Sequence, residues 1–150
     1  GTFIERADNT FRTVGAKHHR LLPTAKVIGG SEDQSQWEVM LRSLAAWRSF
    51  NWLNKGQLDP LSVADFLIFD ERMPRSINFC YKEVTSNLED LSNSYRRNYK
   101  SLDMSREICL GLTCGRSKNI QKFDLRNFIN DYIWKNSQLS LTIASDFNLN

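Results

Sequence analysis

The chain has little of what punctuates or staples a fold: three prolines, seven glycines, three cysteines and two histidines in 150 residues. Cys80, Cys109 and Cys114 are an odd set without framework spacing, which argues against a disulfide scaffold and predicts reduced thiols in the cytoplasm. Cys109 and Cys114 stand five apart, a poor spacing for zinc. His18 and His19 are adjacent, so on a helix they project about 100° apart and cannot chelate one ion. There is no H-E-x-x-H, no C-x-x-C, and no E-x-x-H partner for Glu5 of the di-iron bundle kind. Neither a glycine-rich phosphate loop nor a G-x-S-x-G elbow is present, and no metal or cofactor is expected. No apolar run reaches the roughly 18 residues of a membrane span, and no signal peptide opens the sequence, so no membrane association is expected. Sustained strand alternation is missing too, which leaves helices.

What is present suits one helical domain. With 41% apolar and 25% charged residues, the chain has mass for a proper core. A net charge of +3 is mild, and the basic clusters Arg96-Arg97-Lys100 and Arg116/Lys118/Lys122 read as solvated, so no nucleic-acid partner is expected. The expected fold is all-α, an elaborated antiparallel bundle of five or six helices. A first helix runs Phe3 to Leu22 and stops at Pro23, with a connector Thr24 to Gly30. Ser31 and Gln34 resemble a capping box for a second helix burying Trp37, Met40, Leu41, Leu44, Trp47 and Phe50 or Leu53, with Gly56 past its end. Trp52 falls off that stripe and is expected to meet a neighbouring helix or subunit.

Leu58-Asp59-Pro60 is a strong start signal: Asp59 as N-cap, Pro60 at N1, Leu58 stapling onto Val63. The short helix that follows, through Phe69, is apolar on nearly every side and belongs in an interior. Asp70 to Met73 breaks it, and Pro74 starts a helix burying Ile77, Cys80/Tyr81, Val84, Leu88 and Leu91. Asn93 to Ser101 reads as the longest loop, Met104 to Leu112 as a shorter helix ending near Gly115. Ile120 to Phe147 reads as the last helix, burying Leu125, Phe128/Ile129, Tyr132/Ile133, Leu139, Ile143 and Phe147.

The candidate chemistry is a charge constellation. The first helix buries Phe3, Ala7, Thr10/Phe11, Val14, His18 and Leu21/Leu22, while Glu5, Asp8, Asn9, Arg12 and His19 point away, with Gly15 and Ala16 among them. Glu5, Arg6, Asn9 and Arg12 therefore share one helix, Arg42 and Arg48 sit on the second, and Asp65, Asp70 and Arg75 surround the central break. Arg75, placed in a helix's first turn, opposes the macrodipole, so it either reaches a distant carboxylate or extends into water. Charges that face inward must pair, because an unpaired buried charge costs several kcal/mol. Four outcomes stay open: a solvated face, a structural ion network, a polar pocket for an anionic or zwitterionic ligand, or a catalytic pair.

The string GTFIERADNTFRTVGAKHHRLLP resembles the signature of the bacterial alpha-E family, an uncharacterised helical domain with a Glu-Arg motif. The matching positions are Gly1, Glu5, Arg6, Ala7, Asp8, Thr10, Arg12 and Leu21-Leu22-Pro23, with further likeness at Gln36–Trp47, Val63–Cys80 and Asp146-Phe147. The resemblance implies the second half of a longer repeat protein. It also implies an accessory role beside an ATP-grasp ligase or a transglutaminase-like peptidase in peptide or amide-bond synthesis or modification. That would make these two proteins the expected partners, with a homodimer as the remedy for apolar surface left exposed. The alternative is a small-molecule-binding or catalytic domain, with Glu5 or Asp65 as base and Arg12 or Arg75 holding a carboxylate or phosphate. The lack of a nucleophile, phosphate loop or metal set favours the accessory role over an enzyme.

Overall fold

The computed structural model describes residues 2–21, 31–55, 60–117 and 122–149. Among the described residues there are seven α-helices and no strand, so the fold is all-α. They are α1 (Thr2–Leu21), α2 (Ser31–Ser43), α3 (Trp47–Asn54), α4 (Pro60–Phe69), α5 (Ile77–Tyr95), α6 (Lys100–Ser117) and α7 (Lys122–Asp146). The expected Thr24–Gly30 connector, Gly56 and the Leu58-Asp59 start signal lie outside the described residues. So do the side chains of His18, His19, Ser31, Gln34 and Leu125. No helix among the described residues is long and apolar enough to cross a membrane.

The count exceeds the expected five or six because the second predicted helix is two. Ala45 takes a left-handed backbone, φ 53°. Its N–H donates to Arg42 O at 3.0 Å and the Ala46 N–H to Leu41 O at 2.7 Å, the two bonds of a Schellman ending. Alanine is the best helix former, so nothing local marks this stop. Tertiary burial decides it: the bend lets α3 bury Phe50 edge-on against Phe66 of α4, ring centroids 5.4 Å apart.

Helices α1, α5, α6 and α7 form the central bundle, α1 and α6 each packing on both α5 and α7. Phe3 meets Phe79 while Thr10 bonds Arg75, so α1 and α5 run antiparallel. Ile4 meets Asn136 while Gly15 lies against Ile129, and α1 and α7 also run antiparallel. The apolar α4 packs on α5 and α6 with Val63, Ala64 and Phe66 to Phe69 buried, as its composition requires. Helix α2 packs on α1 and α3.

Two boundaries differ from expectation for identifiable reasons. Helix α5 begins at Ile77, not Pro74, because Ser76 is the N-cap and its hydroxyl accepts the Phe79 N–H at 3.1 Å. Helix α6 begins at Lys100, inside the stretch that reads as loop. Its Ser101 N–H is met by Asp146 Oδ2 from the far end of α7 at 2.8 Å, and Tyr99 is buried against Phe147 at 4.4 Å. A cap supplied from 45 residues away leaves no local signature.

Candidate functional site: the α1–α5 corner

Helix α1 buries Ile4, Ala7, Thr10, Phe11 and Val14, with Phe11 set between Tyr81 and Tyr132. Glu5, Asn9 and Arg12 share the opposite face and all three are exposed. Arg12 Nε donates to Asp8 Oδ2 at 2.8 Å, one turn back on the same helix. That hydrogen bond, then the charge of Asp8, holds the guanidinium above its ordinary value. No neighbouring helix among the described residues covers this face. Gly15 does admit a close neighbour, but on the flank: an added Cβ would lie 3.3 Å from Ile129 Cγ2 of α7.

Asp65 is exposed on α4. Asp70 builds the turn that follows: its Oδ1 accepts the N–H of Arg72 at 2.8 Å and of Met73 at 3.0 Å, and Oδ2 meets the Arg72 guanidinium at 3.3 Å. The buried Ser76 hydroxyl donates to the Asp70 carbonyl, which closes the corner from the other side. Arg75 precedes the N-cap rather than lying within the helix. Thr10 Oγ1 donates to its carbonyl at 2.8 Å and ties it to α1. Arg42 pairs with Glu38 at 2.8 Å and lies over Trp47, and Arg48 is exposed. Of the constellation, then, Arg6, Asp70 and Arg75 are half-buried, and Glu5, Asn9, Arg12 and Asp65 face solvent.

Three further residues matter at this corner: the sequence places Cys80 and Tyr81 on a buried stripe without a polar role, and Asn136 escaped it. Cys80 is fully buried and its thiol meets the Pro74 carbonyl at 3.7 Å. Burial pushes that thiol up to about 11, opposed by the nearby charges of Arg6 and Arg75. A thiol so held is protonated and a poor nucleophile at neutral pH. Tyr81 donates to Asn136 Oδ1 at 2.6 Å, and Asn136 Nδ2 donates to the Ile4 carbonyl at 3.4 Å. Burial is the first cause raising the Tyr81 phenol. The signal for Asn136 was a gap: the inward stripe of α7 skips from Tyr132 to Leu139, and a polar residue fills the turn between. Among the described residues, no three His, Cys, Asp or Glu side chains are placed to hold a metal.

A family model described as "a predicted alpha-helical domain with a conserved ER motif", Alpha-E, matches residues 1–147. The chain belongs to the Alpha-E family. Comparison with curated proteins and with solved structures found no match. This Alpha-E domain carries two Glu-Arg dipeptides, Glu5-Arg6 and Glu71-Arg72. In the first, adjacent positions divide the labour: Glu5 faces solvent, and Arg6 turns towards the α5 seam with its guanidinium 5.4 Å over the Phe3 ring. In the second, the two side chains pair outward, Arg72 with Asp70 and Glu71 with Lys82 at 2.6 Å.

Proposed function

We propose that this Alpha-E domain is an accessory, non-catalytic helical module that docks an ATP-grasp ligase or a transglutaminase-like protein in peptide or amide-bond synthesis or modification. One observation supports a docking role above the others. On α7, Trp134 and Leu141 are 62% and 65% exposed, seven residues and two turns apart on one face. Around them stand Asn130, Ser137 and Ser145, uncharged and exposed, with the Asp131–Lys135 pair along one edge. Interface centres are poor in charge and rich in tryptophan, and a solvated helix face usually has the reverse composition. Trp52, 81% exposed, is a third large apolar side chain at the surface, on α3. The groups that a catalytic reading would need stand at the surface, with Glu5, Arg12 and Asp65 all exposed.

Co-purification from a native host tests this reading, with a Trp134→Ser/Leu141→Ser variant as its control. Capture of an ATP-grasp or transglutaminase-like protein by the wild type, lost in a variant of unchanged helical content, is the expected result. A chain that captures neither protein, or a variant that captures as well as wild type, rejects it. Self-association that abolishes capture and disappears in the variant would assign the same face to a homodimer instead.

A further inference from the structure

We propose that the outer face of α3 docks an acidic segment of a partner protein, one with an apolar side chain set between two carboxylates. Arg48, Trp52 and the C-cap residue Lys55 stand at i, i+4 and i+7, one face about 10 Å long. All three are exposed, and Trp52 is 81% so. Phe50 points the other way and is fully buried, edge-on against Phe66 of α4 with ring centroids 5.4 Å apart. Leu53 also packs on the core, and the Asn54 amide donates to the Phe50 carbonyl at 3.2 Å. The inner side of α3 is thus anchored, so its outer face is presented with little left to order on binding. This surface is separate from the α7 face above and does not rest on the role proposed there.

The charge on this face is unmatched within the fold. On α1, α2 and α7 a surface cation has its carboxylate four residues away: Arg12 with Asp8 at 2.8 Å, Arg42 with Glu38 at 2.8 Å, Lys135 with Asp131 at 3.0 Å. On α3 the residue four after Arg48 is Trp52, and the helix carries no acid. Among the described residues neither Arg48 nor Lys55 makes an ion pair. Lys55, at the C-terminal end, suits the helix dipole; Arg48, in the first turn, opposes it, so local helix chemistry does not account for that cation. Tryptophan and arginine are the side chains that carry most energy at interfaces, and two unneutralised cations select a partner by opposite charge. Spacing then fixes the complement. A helix laid antiparallel on α3 meets it with Glu-x-x-Leu-x-x-x-Glu, the leucine on the indole and a carboxylate at each cation. A bilayer calls for a broader apolar face than one indole beside the exposed Ser49 and Asn51. Single-stranded nucleic acid calls for successive aromatic platforms, and this face has one.

NMR titration of the full chain at low salt, read at the tryptophan indole N–H signals, tests the surface. The probe is an alanine-rich helical peptide carrying one Glu-x-x-Leu-x-x-x-Glu set, and its uncharged match has glutamine at both glutamates. The Trp52 signal, assigned with Trp52→Phe, should shift with the glutamate peptide, while that of the buried Trp37 stays in place. Affinity for the glutamate peptide should exceed that for the glutamine peptide by about tenfold or more, and Arg48→Gln/Lys55→Gln should remove that difference. Arg42→Gln, whose guanidinium belongs to Glu38, should bind as wild type does. Each substituted side chain is exposed, so every variant should keep wild-type helical content, which circular dichroism checks. Equal affinity for the two peptides, an unchanged affinity in the double variant, or a shift at Trp134 in place of Trp52 overturns the proposal. Tighter binding to phosphatidylserine-containing vesicles or to oligothymidylate than to the glutamate peptide, lost in the double variant, also overturns it and assigns the face to lipid or nucleic acid.

Discussion

At the scale of single residues, Cys80 links packing to pH. Its thiol is wholly buried, and burial pushes it from 9.0 up to about 11. Between those values the folded chain keeps a proton that the unfolded chain releases, so unfolding is favoured as pH rises. The stabilising contribution is therefore complete below about pH 9 and lost as pH climbs through about 11. The sum is on the order of 2 kcal/mol. Denaturant melts from pH 8 upward should show this fall, and Cys80→Ala should flatten the part between about pH 9 and pH 11. Cys109 and Tyr132 are also raised by burial, Tyr132 to about 12, and sustain a smaller decline in the variant. An identical slope in wild type and Cys80→Ala would place the alkaline sensitivity elsewhere. The burial of Cys80 was legible from its place on an apolar stripe, but not which cations lie near it. The exposed Glu5–Asn9–Arg12 face was legible, because helical spacing alone opposes it to Ala7, Phe11 and Val14.

At the scale of elements, helix existence follows from apolar spacing, whereas helix endings depend on contacts the local sequence does not contain. The start of α4 at Pro60 and the apolar wrapping of that helix were visible, as proline at N1 and an all-round hydrophobic run leave few alternatives. The break at Ala45 was not. Left-handed backbone costs an alanine roughly 1–2 kcal/mol, and a glycine there would escape that cost while losing some chain entropy. Ala45→Gly should therefore stabilise the domain by about 0.5–1 kcal/mol in chemical melts, against the usual ranking of the two residues in helices. Gly111 carries the converse case on α6. An added Cβ would lie 2.3 Å from Tyr132 Oη, while the ring carbon behind it is 3.5 Å away, ordinary contact. A tilted contact with Phe128, ring centroids 4.3 Å apart, and stacking with Phe11 keep that ring from swinging aside. Gly111→Ala should cost about 1–3 kcal/mol in the wild type by overpacking. In a Tyr132→Phe background the same change should become favourable, by up to about 1 kcal/mol of helix propensity. A change of the same sign in both backgrounds would show that Oη is not the obstacle.

At the scale of the whole molecule, three helices of the central bundle meet on one buried polar chain. Tyr81 of α5 donates to Asn136 of α7, and Asn136 donates to the Ile4 carbonyl of α1, across 55 and 132 residues of sequence. Apolar faces tell helices to pack but tolerate sliding by a turn, whereas a directed hydrogen bond between fixed atoms does not. The chain thus disclosed an antiparallel bundle, and the register of that bundle lay in a tyrosine and an asparagine that periodicity treats as an interior aromatic and a blank. If these bonds hold the register, breaking one should cost more than it returns. Tyr81→Phe leaves the Asn136 oxygen buried without its donor, a loss of about 1–3 kcal/mol. Asn136→Leu strands the Tyr81 hydroxyl in the same core and should cost a similar amount. The double change removes both polar groups at once, leaves nothing unsatisfied between them, and should recover at least about 1 kcal/mol relative to the sum of the singles. Equilibrium denaturation of the four proteins gives the coupling directly, and additive losses would mean that the bond does not carry the energy. Register itself needs a separate readout, because the double variant can be stable and still slide. Amide exchange at Ile4 to Phe11 should quicken in the double variant even where its melting midpoint recovers, and protection equal to wild type would assign the register to the apolar faces alone.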